Sequence, residues 1–197
     1  KKNIFQRLQK TRLEPVIWDV LADISVIIRK SRTEVSGKRQ EGKMSQLYFV
    51  LTRRCNQFCT SCPRHQEERI ADEKYQNVKG RLFHTLEKFD VDDLILSGGE
   101  PALYREFPEL IRELDRYDVP VMVQSNGQRF SERLFSERCF RDCRHEFHVM
   151  TALHSRNASL HDQITGVPGS FERAVEAIHN LLALHVRITV KCILSRL

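Results

Sequence analysis

The sequence predicts an α/β fold, a parallel sheet with crossover helices that curls toward a barrel, preceded by a short N-terminal helical appendage. Two observations carry this. Short runs of apolar, β-branched and aromatic residues recur at 46–52, 93–97, 119–124, 147–153 and 186–194. Between them lie stretches with apolar residues at helical spacing. Runs of this kind separated by helical patterns mark parallel strands covered by their crossovers.

Each element follows in order. Residues 13–29 place Leu13, Val16, Ile17, Val20, Leu21 and Ile24 on one helical face. Residues 31–43 (SRTEVSGKRQEGK) are polar throughout and read as a linker. The sequence therefore predicts an appendage over 1–44 and a main domain over 45–197. The first strand, 46–52 (QLYFVLT), runs straight into a cysteine-rich segment. Residues 81–89 carry Leu82, Phe83, Leu86 and Phe89 on one helical face. The second strand, 93–97 (DLILS), ends at two glycines. Residues 107–117 are helical, with Leu110, Ile111, Leu114 and Tyr117 as the buried stripe. The third strand, 119–124 (VPVMVQ), is closed by Ser125-Asn126-Gly127. Ser131 is expected to cap a short helix through Cys139. Ser170 is expected to cap a helix whose face is Phe171, Ala174, Val175, Ile178, Leu181 and Leu182. The chain opens on Lys1 rather than Met and stops at Leu197 just after a strand-like run, so the expectation is a piece of a longer protein.

Composition narrows the classes. Of 197 residues, 41% are hydrophobic and 29% charged, a globular balance that argues against disorder throughout. The net charge of +6 is spread among interleaved acids, so charge alone gives no case for nucleic-acid binding. The apolar stretch 16–28 is interrupted by Asp19 and Asp23, which is wrong for a membrane span or a secretory signal. Six cysteines without such a signal point to reduced thiols and a cytoplasmic default.

Two segments carry chemistry. Cys55, Cys59 and Cys62 crowd the loop after the first strand, a density of soft ligands that suits zinc or an iron–sulfur cluster. Three thiolates on a four-iron cluster would leave one iron open, and an open position is what separates catalytic from structural metal sites. A closed Cys3His zinc site with His65 is the competing reading. Gly98-Gly99-Glu100-Pro101 ends the second strand. Its glycines let a ligand approach the backbone, and the Glu100 carboxylate offers a partner for an ammonium group. A plain tight turn is the alternative.

Together, Cys-x-x-x-Cys-x-x-Cys after strand one and Gly-Gly-Glu-Pro after strand two resemble the radical S-adenosylmethionine superfamily, over about residues 47–194. Ser125-Asn126-Gly127 fits the same pattern. The stretch from His161-Asp162 through Gly166 to Gly169-Ser170-Phe171 is similar to peptide-modifying and cofactor-maturing members. The resemblance implies a partial (β/α)6 TIM-like barrel. Cys55, Cys59 and Cys62 would hold a 4Fe–4S cluster, with S-adenosylmethionine on the fourth iron. Gly98, Gly99, Glu100, Pro101, Ser125 and Asn126 would bind that cofactor. Reductive cleavage would give a 5′-deoxyadenosyl radical that abstracts hydrogen from a substrate, of which a peptide is the first choice. The electron would come from a donor such as flavodoxin or ferredoxin. One departure concerns adenine placement: Ser61 precedes the third cysteine where relatives carry an aromatic residue, and Phe58 precedes the second cysteine instead.

Strand alternation assigns further residues. In the last strand Val186, Ile188, Val190 and Cys192 share one face, expected to pack on helices; Arg187, Thr189 and Lys191 share the other. His148, Met150, Ala152 and His154 group likewise in the fourth strand. His154 and Lys191 are predicted to line the active-site cavity. Cys139, Cys143, His145 and His148 are a candidate second metal cluster, Cys192 reads as a buried strand residue, and the Glu/Arg run over 132–146 as a solvated helix face. Two other functions compete: a non-catalytic zinc- or cluster-binding module, and a peptide-binding adaptor.

Overall fold

The structure, a computed structural model, describes residues 42–62 and 71–193. The helix expected over 13–29, most of the linker, and His65 lie outside the described residues.

The described strands are β1 (Gly42–Met44), β2 (Leu47–Thr52), β3 (Phe89–Val91), β4 (Leu94–Gly98), β5 (Val121–Gln124), β6 (His148–Ala152) and β7 (Arg187–Lys191). The helices are α1 (Tyr75–Lys88), α2 (Phe107–Leu114), α3 (Arg133–Phe140), α4 (Ala158–Thr165) and α5 (Ser170–Ala183). Five strands form one sheet in the order β2-β4-β5-β6-β7, every neighbour parallel. This is the partial TIM-like arrangement, with chain order running straight across the sheet. In a parallel pair, residues in register share a face. Leu96, Val123 and Val149 are in register across β4, β5 and β6, Leu94 lies on the same face two residues back, and all are fully buried. Their face packs on the helices. Ser97, Gln124, Met150 and Thr189 lie on the opposite face and are half-buried.

The helix stripes close the core. Phe107, Leu110, Ile111 and Leu114 recur at i, i+3, i+4 and i+7 along α2 and are at most 1% exposed. Phe107, Phe130, Phe135, Phe140 and Phe147 form a chain of ring contacts beneath α2 and α3. Side chains of this size dominate burial energies, at about 3–5 kcal/mol each on truncation.

Several elements differ from their sequence expectation. Gly42 and Lys43, read as linker, begin β1, which pairs with β3 in a separate two-stranded ribbon. The ribbon also takes Phe89, expected at the end of a helical stripe. Helix α1 starts at Tyr75 rather than 81, because Val78 extends its buried stripe across Gly80, a residue that disfavours helices. Ser131 caps nothing: it ends a 3-10 turn, its hydroxyl donates to the Gln128 carbonyl, and Glu132 precedes α3. Ser170 is the first residue of α5, after Gly169 with φ 72°. Leu182, placed on the buried face of α5, is 39% exposed; Ala177 takes its place in the core. Helix α4 has no counterpart among the expected elements, although its Asn157 cap and Gly166 stop are both written in the sequence. The run over 132–146 is the solvated face expected, laced by Arg133–Glu137–Arg141 pairs.

Candidate active site

The carboxyl ends of β2, β4, β5 and β6 bring the sequence motifs together. A bulge between Val50 and Thr52 sets Thr52 opposite Gly98. From there the first turn of the cysteine loop runs against the Gly-Gly pair. The Gly99 amide donates to the Thr52 carbonyl (2.8 Å) and the Glu100 amide to the Arg54 carbonyl (2.7 Å). A Cβ on Gly98 would sit 2.4 Å from the Thr52 oxygen, and one on Gly99 2.3 Å from the Arg54 oxygen. What these glycines admit, then, is the backbone of the cysteine loop itself. Two side chains without any motif to mark them, Asp72 and Arg54, fix the same turn. Asp72 accepts from the Thr52 hydroxyl and from Arg54, and Arg54 also donates to the Leu103 carbonyl at 2.7 Å.

Glu100 is wholly buried, and its carboxylate is fully used inside the protein. One oxygen accepts from the Ala102 amide (3.0 Å) and the Ser125 hydroxyl (2.8 Å), the other from the Asn126 amide (2.6 Å). It ties the end of β4 to the turn after β5. Burial pushes its pKa up to about 7, against the opposing pull of those three donors. The turn is thereby aimed at the cysteines: the Asn126 side-chain amide donates to Asn56 Oδ1 (2.8 Å) and lies 3.7 Å from Cys55 Sγ.

All three cysteines are free thiols. Loss of water around the sulfur raises the pKa of Cys55, and that of Cys59 to about 11; repulsion among the thiolates adds to both. Cys59 donates to the buried Gln57 side chain at 3.5 Å, a supporting residue with no sequence signal. The three sulfurs are thus electrostatic neighbours, yet among the described residues no three His, Cys, Asp or Glu side chains converge on a single ion. Three soft thiolates on one loop are a donor set that suits an iron–sulfur cluster. The donor set fits a four-iron cluster with one open corner.

The far end of the sheet is looser. His154 follows β6, and its ring stacks on buried His161 with centroids 5.6 Å apart. Desolvation, and secondarily the Lys191 charge, lowers the His154 pKa, so the two predicted cavity residues are neighbours. Lys191 is exposed, so water solvates it. Cys192 is exposed rather than buried, because the strand ends at Lys191. The second metal cluster does not form: Cys139 is buried in α3, Cys143 donates to the Cys139 carbonyl, His145 pairs with Asp115, and His148 bonds Thr189. The helix ends at Phe140, so Cys139 alone of the four lies on it.

This fold and this strand-end geometry define a cofactor-dependent barrel enzyme. The chain belongs to the Radical SAM superfamily, whose family model matches residues 49–194. It is similar to mycofactocin maturase MftC of Mycobacterium ulcerans, 29% identical over 137 residues, which covers 70% of this chain and 36% of that one. A probable GTP 3′,8-cyclase of Methanocella arvoryzae is 29% identical over 142 residues, 72% of this chain and 45% of the cyclase. In fold it matches Streptococcus suis SuiB, solved with S-adenosylmethionine, at TM-score 0.64 and 14% identity, over 74% of this chain and 33% of SuiB. SuiB has also been solved with its precursor peptide SuiA. The chain thus spans less than half the length of these relatives. Among the described residues no helix is long and apolar enough to cross a membrane.

Proposed function

We propose that this chain carries the radical-generating core of a peptide-modifying enzyme. The observation that supports it most is the three-thiol loop after β2, hydrogen-bonded to the Gly-Gly end of β4. Cys55, Cys59 and Cys62 would hold a 4Fe–4S cluster. Gly98, Gly99, Glu100 and Pro101, with Ser125 and Asn126, would form the S-adenosylmethionine site. Glu100 contributes from behind, by holding Ser125 and Asn126. When bound, the cluster and S-adenosylmethionine together supply reductive cleavage of the sulfonium and hydrogen-atom abstraction from the substrate. The chain's own part is to hold the three thiolates, orient the cofactor at two strand ends, and present the substrate beside β6 and β7. An electron carrier such as flavodoxin or ferredoxin would supply the reducing electron.

A peptide is the favoured substrate class. A peptide maturase is among the relatives, and a similar fold has been solved with a precursor peptide. His154 and Lys191 would face that substrate from the open end of the sheet. Anaerobic reconstitution with iron and sulfide, then reductant and S-adenosylmethionine, tests the reading. The expected result is a brown protein that forms 5′-deoxyadenosine, faster with its peptide than with nucleotides. A colourless zinc protein indifferent to S-adenosylmethionine would reject it, and peptide binding without deoxyadenosine would favour an adaptor.

A further inference from the structure

Helix α4 makes contacts that the cofactor site does not account for. A helix leaves its last carbonyls without partners inside the helix. In α4 two of these are taken by the cysteine loop: the Ile164 carbonyl accepts from the Thr60 amide (2.9 Å), and the Thr165 carbonyl from the Phe58 amide (2.8 Å). These two amides flank Cys59. Gly166 then turns the chain away with φ 69°, so close to the loop that a Cβ there would lie 3.0 Å from both the Cβ and the carbonyl oxygen of Phe58.

The helix is itself fastened on two other sides. Its Asp162 carboxylate accepts from the Gly169 amide (2.6 Å), the Ser170 hydroxyl (2.8 Å) and the Phe171 amide (2.9 Å), and so caps α5, the role expected of Ser170. The Ser170 hydroxyl also meets Thr165 Oγ1 at 2.6 Å. Inside the core, His161 Nδ1 accepts from the His154 amide at 3.1 Å, which ties α4 to the end of β6. With Gly98 and Gly99 on its entry side and α4 on its exit side, the cysteine loop is held from both flanks.

We infer that the carboxyl end of α4 is a clamp that positions Cys59 for cluster ligation, with Gly166 as its contact residue and Asp162 as its anchor. The inference rests on the cysteines' being the cluster ligands. A side chain at Gly166 would push Phe58 outward and move Cys59 off its corner, while the sheet and core would stay intact. Gly169 supplies the control. It has the same left-handed backbone, φ 72°, but a Cβ there would meet only the flexible end of Arg173, at 3.2 Å.

The test compares Gly166→Ala with Gly169→Ala. Each is reconstituted anaerobically and assayed for iron and sulfide per chain, with the melting temperature of the cluster-free protein alongside. The clamp predicts that Gly166→Ala loses at least threefold of its iron while Gly169→Ala keeps it, with both cluster-free proteins melting within a few degrees of each other. Equal iron in the two variants would overturn it. Hydrogen exchange in the cluster-free wild type gives a second reading, independent of either variant's folding. Slow exchange at the Phe58 and Thr60 amides supports the clamp, and exchange as fast as at an exposed loop overturns it. A wild type that takes up no iron while those amides stay protected would reject the cluster, not the clamp.

Discussion

The two ends of the sheet's carboxyl edge are built differently. At β2, β4 and β5 the strand ends are cross-tied inside the protein: a fully buried carboxylate with three donors, two glycines whose missing side chains make room for the cysteine loop, and an asparagine bonded to that loop. At β6 and β7 the corresponding residues, His154, Lys191 and Cys192, are half-buried or exposed. Rigid packing suits a cofactor that is the same in every turnover. An open edge suits a substrate that has to enter and leave. The contrast teaches that cofactor and substrate functions are separable along one sheet edge, and mutations should separate them.

The largest effect belongs to the closed end. Cys59→Ala should abolish cluster absorbance and deoxyadenosine formation, whereas Cys192→Ala should leave both intact; equal loss in the two would break the comparison. Gly99→Ala comes next. Its methyl group would collide with backbone on both sides of Arg54, and urea unfolding should show a loss of about 3 kcal/mol or more.

Glu100→Gln should change a pH profile. The carboxyl titrates from an ordinary 4.5 in the unfolded chain to about 7 in the fold. The folded state therefore holds its proton to higher pH, and this group's contribution to stability is full below pH 4.5 and lost as pH rises through 7. The loss across that window is about 3 kcal/mol. Urea midpoints measured through it should flatten in the glutamine variant. The smallest effect on cofactor chemistry belongs to the open end. His154→Ala and Lys191→Ala should keep iron content and substrate-free deoxyadenosine formation within about twofold, while slowing substrate turnover about tenfold. A parallel loss of iron would place those residues with the cofactor.

Much of the frame was legible because parallel strands and amphipathic helices write their burial into the sequence. Leu94-Ile95-Leu96 and the Leu110, Ile111 and Leu114 stripe reveal themselves by spacing alone, and they are buried as read. Tyr117, grouped with that stripe, lies past the end of α2 and is half-buried. The three cysteines and the Gly-Gly pair were equally plain. What spacing conceals is which partner a polar group meets across the fold. Glu100 gives no sign of meeting Asn126, nor Asp162 of capping the helix that Ser170 begins, since such bonds are set by tertiary approach rather than by local order. Sequence reading therefore finds the Gly-Gly pair but not how closely the backbone of the cysteine loop packs against it. The strand end at Lys191 was similarly hidden, because Cys192 continues the alternation of a strand that has already stopped.

The proposed chemistry needs one iron of the cluster to have no side chain of this protein bound to it. The most direct test is Mössbauer spectroscopy of the reconstituted protein, recorded before and after S-adenosylmethionine is added. The account predicts that one iron of the 4Fe–4S cluster changes its signal on addition while the other three do not. A spectrum indifferent to S-adenosylmethionine, with all four irons already ligated by protein and His65→Ala needed to open one, would contradict it.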